Sequence, residues 1–596
     1  MKDPKQFYQN IEQSASAEAE RLARRYERFA LVRLVLILGW IAGLILVFSW
    51  DWRLGLLFFV LLLPVIARGV RWHRNLDRSA KLAEIRAQLA RAELRSLDHD
   101  FSHWEDGGAF LHPQHPYALD LDIFGPHSLF QFLNRTVTAP GRAYLAGQLL
   151  VPSSEEAAAR TQGQSKALAA VPDWCIEFRT LGDQLRDNLQ HQERLLAWLE
   201  RPAVVVGRWD KLMLWLAAPL TVMAIGWMLF MPIWQLGVLA LVPTFLMLRK
   251  YREQMGQEHA YVSEMGKLLG QYADLLAQLE SAPDALRPLD NEAPSIPALR
   301  RLGYLISQLD VRYNPFVILL EVGALWSLQW LSRLDDWRAT HRDALPGWLR
   351  TMARADALVS WASLRFNQPD WTDADWTEAQ VLEATDLGHP LLNPAVRVTN
   401  DIRMRTDGHI HLVTGSNMAG KSTWLRTVGV NLVLMQAGGP VCARHLRSGA
   451  LNVWTSMRTQ DDLSESTSSF YAELKRLKSI IEAVADPGQR VFFLLDEILK
   501  GTNSRDRHTG ARALIRQLIR DLGAGIIATH DLELAALESE PGSKVENYAM
   551  EVQTQGDQLT FDYKLHRGVS KSFNATALMA RMGIDIPPDE VKLHHD

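Results

Sequence analysis

The sequence predicts a multi-domain chain: a mainly α-helical region carrying two membrane hairpins, followed by an α/β domain built on a phosphate-binding loop. Three observations support this. Residues 34–50 and 54–67, and later 212–248, are long apolar runs without a charged residue. Around them lie charged stretches of strong helix formers with helical periodicity, such as LDRSAKLAEIRAQLARAELRSLDHD. Beyond residue 380 the pattern changes to short alternating runs and then to G-x-x-x-x-G-K-S between Gly415 and Ser422.

At 596 residues the chain has room for about four domains. Its 47% hydrophobic and 22% charged content is that of a globular protein rather than a disordered one. The net charge of −4 gives no overall basic excess for nucleic acid, although a local basic face would still serve. Cys175 and Cys442 have neither metal nor disulfide spacing, which fits a reducing compartment. His112, His115 and His127 match no ligand template and read as turn or surface residues.

In chain order, residues 1–30 form a polar N-terminal segment, too polar before its first apolar run for a secretory signal. Residues 31–72 and 211–249 read as two hairpins, four membrane crossings in all, since one spanning helix needs about 20 apolar residues. Arginines and lysines flank both: Arg21, Arg24, Arg25, Arg28 and Arg33 precede the first and Arg68, Arg71, Arg74 and Arg78 follow it. Arg208, Lys211, Arg249, Lys250 and Arg252 bracket the second. The positive-inside rule then puts the N-terminus and all large soluble parts in the cytoplasm, on the inner (plasma) membrane. Residues 73–210 and 250–388 read as helical, with turn signals at Gly125-Pro126 and Pro140-Gly141 and a loop over SAPDALRPLDNEAPSIP. Residues 389–565 form the α/β domain and 566–596 a terminal helical pair.

The glycine-rich turn lets successive backbone N–H groups face phosphate oxygens, and the helix that follows adds the positive end of its dipole. Gly415, Ser416, Asn417, Met418, Ala419, Gly420, Lys421, Ser422 and Thr423 form this candidate cradle, with Lys421 reaching the β- and γ-phosphates and Ser422 a Mg²⁺ ion. The run VFFLLDE reads as a buried parallel strand ending in Asp496, a second metal ligand, and Glu497, placed to orient or deprotonate water. A third apolar strand, 525–528, leads to His530, within reach of the γ-phosphate. ATP and Mg²⁺ are the implied ligands.

TGSNMAGKST, SSFYAEL, LLDEILKGTNS and ATHD, in this order, resemble the ATPase domain of MutS-type DNA mismatch repair proteins, most strongly over 389–584. GPHSLFQFLNRTVTAPGRAYLAGQLL is similar, more weakly, to the start of that family's helical core, and 253–388 would hold its levers. The resemblance implies a dimer, here a homodimer, in which Ser468 faces the partner's nucleotide. The residues themselves suggest a serine near the cap of an amphipathic helix whose Phe470 and Leu474 face the core. RGVSKSFNATALMARMGIDIPPDEV resembles the family's helix-turn-helix, which helps to hold the dimer. The first 30 residues and a hairpin stand where mismatch readers carry their mismatch-binding and connector domains, and no nuclease-like domain is expected after the terminal pair. The resemblance therefore implies ATP hydrolysis and DNA binding, and leaves mismatch reading without a carrier. A membrane signalling or transporter-like ATPase is the alternative, weakened by the missing LSGGQ segment and the uncharged apolar blocks. A scaffold with a degenerate site is weaker still, because Lys421, Ser422, Asp496, Glu497 and His530 are all present.

Overall fold

The structure, a computed structural model, describes residues 2–185, 189–205, 207–262, 265–283, 295–310, 317–458, 469–555 and 558–570. The chain forms two compact units. The first contains Met1–Asp98, Arg135–Tyr144 and Val171–Val359; the second contains His99–Asn134, Leu145–Ala170 and Ser360–Asp596.

The first unit has helices and no strands among its described residues. Its polar N-terminus and first apolar run are one continuous helix, Pro4–Trp50. Asp51 ends that helix in an extended conformation and caps the next, Trp52–Leu97, by accepting the Arg53 N–H at 2.7 Å. The two run antiparallel, with Tyr26 stacked on His73 at 4.2 Å and Trp40 on Phe59 at 5.7 Å. Farther along the second helix, Glu93 is buried between Arg135 and Arg179, each 2.6 Å away. Burial pushes the Glu93 pKa up, but the two guanidinium groups outweigh it and bring it to about 2.

Two helices among the described residues, not four, are long and apolar enough to cross a membrane: Pro4–Trp50 and Arg208–Met228. The run 54–67 opens the helix Trp52–Leu97, which continues into Arg68, Arg71, Arg74 and Arg78. The second apolar block is broken twice. One break, at Met231–Ile233, separates Arg208–Phe230 from the short helix Trp234–Ala240. The other, at Leu241, comes just before Val242–Val262, whose Pro243 has no N–H with which to continue a helix. Pro140-Gly141 is likewise no loop. It opens the helix Ala139–Leu150, where proline fits the first turn. A Cβ on Gly141 would lie 2.1 Å from Asp356 Oδ2. Asp356 caps this helix start, accepting the Thr138 hydroxyl at 2.6 Å and the Val137 and Thr138 N–H groups at 3.0 and 2.8 Å. Most of the loop expected around residue 290 lies outside the described residues.

The second unit holds two sheets. The smaller has the strands β1 (Asp375–Trp376), β2 (Val381–Leu387), β3 (Asn400–Arg405) and β5 (His445–Ser448), in the order β1-β5-β2-β3. The larger comprises β4 (Ile410–Gly415), β6 (Asn452–Ser456), β7 (Val491–Asp496), β8 (Ala524–Thr529), β9 (Val545–Gln555) and β10 (Gln558–Arg567), in the order β10-β9-β4-β8-β7-β6. All neighbouring pairs are parallel except β9 with β10. Strands β4 and β8 are buried along their whole length, and β7 until its last residue. That is why they read as unbroken apolar runs. The helix Ser469–Ala485 covers one face with Leu477, Ile480, Ala483 and Val484, whereas Leu474 is exposed rather than in the core. His115 is a turn residue, its Nε2 3.1 Å from the Leu150 carbonyl.

Candidate nucleotide site

The carboxyl ends of parallel strands are where an open α/β sheet presents its ligand site. Here β4, β7 and β8 bring together Gly415, Asp496 and Thr529 at that edge, with Thr414 in register with Thr529 and Asp496 with Ala528. After β4 the backbone turns at Gly415, φ +143°, where a Cβ would sit 2.4 Å from the Met550 carbonyl oxygen. Asn417–Ala419 make a 3-10 turn, Gly420 takes φ +96°, and the helix Lys421–Gln436 starts without a side-chain cap. Its first N–H groups are left for a ligand.

Lys421 is 2% exposed, yet its Nζ donates to the Gly415 and Ser416 carbonyls at 2.8 Å each. Burial lowers its pKa to about 8, against the pull of Asp496 and Glu497 and with a push from Lys500. The Ser416 hydroxyl is buried without a hydrogen-bond partner among the described residues. Met418 is exposed, Ala419 buried and Thr423 exposed. A buried cation turned back on its own loop, a glycine whose Cβ would collide with backbone, a second glycine at positive φ and an uncapped helix start all fit a polyphosphate.

The Ser422 hydroxyl donates to Asp496 Oδ2 at 2.5 Å, so one hydroxyl and one carboxylate converge as oxygen ligands suited to Mg²⁺. Glu497 follows in a left-handed conformation, φ +53°, its N–H bonded to the Ala528 carbonyl at 2.9 Å. Its carboxylate lies 2.7 Å from His530 Nε2 and 3.1 Å from Lys500 Nζ. The His530 hydrogen bond lowers the Glu497 pKa most; burial opposes it, Lys500 adds to it, and the result is about 2. Glu497 lines two cavities, of about 410 and about 730 Å³. Solvent can reach it from both.

Three neighbours of the site carry no signal in the sequence. Lys500 lies in a quoted motif, but nothing in the spacing ties it to Glu497. Tyr563 has φ +53° and is 43% exposed, and its ring lies 3.0 Å from where a Gly420 Cβ would stand. No pattern in QLTFDYKL announces that. Glu473 reaches the backbone beyond Glu497, a contact that depends on how a helix sits on the sheet. Ser468 and residues 571–596 of the terminal pair lie outside the described residues.

Residues 411–593 match the family MutS domain V. The C-terminal third of the chain is thus similar to the MutS family's domain V. The chain is 30% identical to the DNA mismatch repair protein MutS of Acetivibrio thermocellus over 40% of this chain and 28% of that protein. It is 32% identical to MutS of Carboxydothermus hydrogenoformans over 36% of this chain and 26% of that protein. With the mismatch repair protein MSH3 of Phaeosphaeria nodorum the identity is 30%, over 40% and 21%. The chain thus spans between a fifth and three tenths of the length of these relatives.

Proposed function

We propose that this chain binds ATP with Mg²⁺ in the 415–423 loop and hydrolyses it, acting as a membrane-anchored homodimer that engages DNA. The observation that carries the reading is the convergence of Lys421, Ser422, Asp496, Glu497 and His530 at one sheet edge. The backbone of Gly415, Ser416, Asn417, Met418, Ala419 and Gly420 would cradle the phosphates, with Thr423 in the first helical turn. Lys421 would leave its loop carbonyls for phosphate oxygens. Ser422 and Asp496 would hold Mg²⁺, which when bound spreads the charge of the β- and γ-phosphates. Glu497, kept ionised, is a weak proton acceptor and a good hydrogen-bond acceptor, so its part is to aim the attacking water. His530 fixes the direction of that carboxylate. The exposed ring of Tyr563 beside Gly420 offers a face for the base.

Dimerisation follows the reading of Ser468 as a residue serving a partner's nucleotide. Anchoring is read from the exposed apolar side chains of Pro4–Trp50 and Arg208–Phe230, and a cytoplasmic N-terminus and ATPase domain at the inner membrane from the positive-inside rule applied to the arginines that flank them. DNA binding is taken from the relatives' names. The test is the ATPase rate of the detergent-purified chain, with and without homoduplex, mismatched and branched DNA at two salt concentrations. Hydrolysis that Lys421→Ala abolishes, and that one DNA structure stimulates more at low salt, supports the proposal. Protein that takes up no nucleotide refutes it, and indifference to every DNA refutes the DNA part.

A further inference from the structure

The first turns of the helix Ser469–Ala485 grip the segment that carries Glu497. Glu473, 8% exposed, accepts the Leu499 N–H through Oε1. The Lys500 N–H also bears on this carboxylate, whose pKa burial raises and the two N–H groups pull back. Before it, Phe470 packs so tightly on Gly501 that a Cβ there would lie 2.5 Å from the Phe470 Cβ. The helix is itself tied down: Arg476 donates to the Thr455 carbonyl at the end of β6 at 2.8 Å and to the His115 carbonyl at 3.0 Å.

Between these holds the backbone takes left-handed conformations at Glu497, φ +53°, and Leu499, φ +60°. Non-glycine residues keep such conformations where their surroundings over-determine them. The turn sets the direction in which the Glu497 Cα–Cβ bond leaves the backbone, and the Glu497 N–H is fixed to the Ala528 carbonyl. We infer that Glu473 is a positioning residue for hydrolysis: by bonding the backbone beyond Glu497, it holds the turn that aims the Glu497 carboxylate. The inference rests on the function proposed above for Glu497.

The test compares the full chain in detergent with Glu473→Ala, Glu473→Gln and the exposed-site control Lys478→Ala. Glu473→Ala is expected to lower kcat by about a hundredfold, the scale of a misplacement near 1 Å. Affinity for a non-hydrolysable ATP analogue should stay within about twofold, as for a loss confined to the chemical step. Glu473→Gln keeps a carbonyl acceptor and should recover kcat to within about fivefold of the parent. Hydrogen exchange at Leu499 and Lys500 should quicken in the alanine variant and not in the glutamine variant. Unchanged exchange in Glu473→Ala overturns the inference whatever the ATPase rate. So do equal kcat losses in both Glu473 variants, or a kcat loss matched by lost analogue binding. If the parent hydrolyses nothing while exchange quickens, the hold on the turn stands and the hydrolytic reading of Glu497 fails instead.

Discussion

Raising the pH should weaken ATP binding through one group, Lys421. In the nucleotide-free protein its pKa is depressed to about 8 by burial. A bound triphosphate favours the ammonium and would return the pKa to its ordinary range. The sign follows. Below pH 8 the free protein already carries the charge the ligand wants, and affinity is flat. Above pH 8 each binding event must take up a proton, and affinity falls about tenfold per unit, or about 1.4 kcal/mol. Between pH 7 and 9 the Kd should therefore rise about tenfold. The assay is equilibrium binding of a non-hydrolysable ATP analogue from pH 6.5 to 9.5, with Lys421→Arg alongside. Arginine stays charged throughout, so its binding, weaker in absolute terms, should be flat. A parent Kd that does not change from pH 7 to 9, or an arginine variant with the same slope, would refute the assignment of the buried cation.

Two further outcomes follow from the packing. Gly415→Ala places a Cβ 2.4 Å from the Met550 carbonyl oxygen at a positive φ, so it should cost about 2–4 kcal/mol of stability and remove the thermal shift that ATP gives the parent; melting curves with and without ATP decide it. Asp356→Ala leaves the Thr138 hydroxyl and two N–H groups without their acceptor, at a cost of about 2–4 kcal/mol near pH 4. Burial raises the Asp356 pKa from 3.8 to about 6. Its stabilising contribution is thus complete below 3.8 and lost as pH rises through about 6, and melting differences from pH 4 to 7 should shrink accordingly.

Much of the candidate site was legible because it is local. A glycine-rich turn between a buried strand and a helix, and a carboxylate pair closing an apolar run, are set by residues adjacent in the chain. The smaller sheet was visible as alternation, seen in the burial of β3. What escaped depends on register and docking. Tyr563 reaches Gly420 from the sheet edge, and Glu473 reaches Leu499 across the covering helix. Pro140-Gly141 carries a turn's residues but starts a helix, because Asp356, distant in sequence, supplies the cap. The block 212–248 breaks at Met231–Ile233, around Pro232, and again at Leu241, just before Pro243, a second break that the absence of charge does not announce. Periodicity alone puts Leu474 in the core, whereas the helix presents Leu477 and Ile480 there.

The central claim is that ATP is held by the 415–423 loop and cleaved by water aimed from Glu497. Single-turnover hydrolysis of prebound ATP by the parent and by Glu497→Gln tests it most directly. The account predicts undiminished ATP uptake by the glutamine variant with cleavage slowed by about 10²–10⁴-fold, the range for a lost proton-handling or water-positioning group. Equal cleavage rates in the two proteins would contradict it.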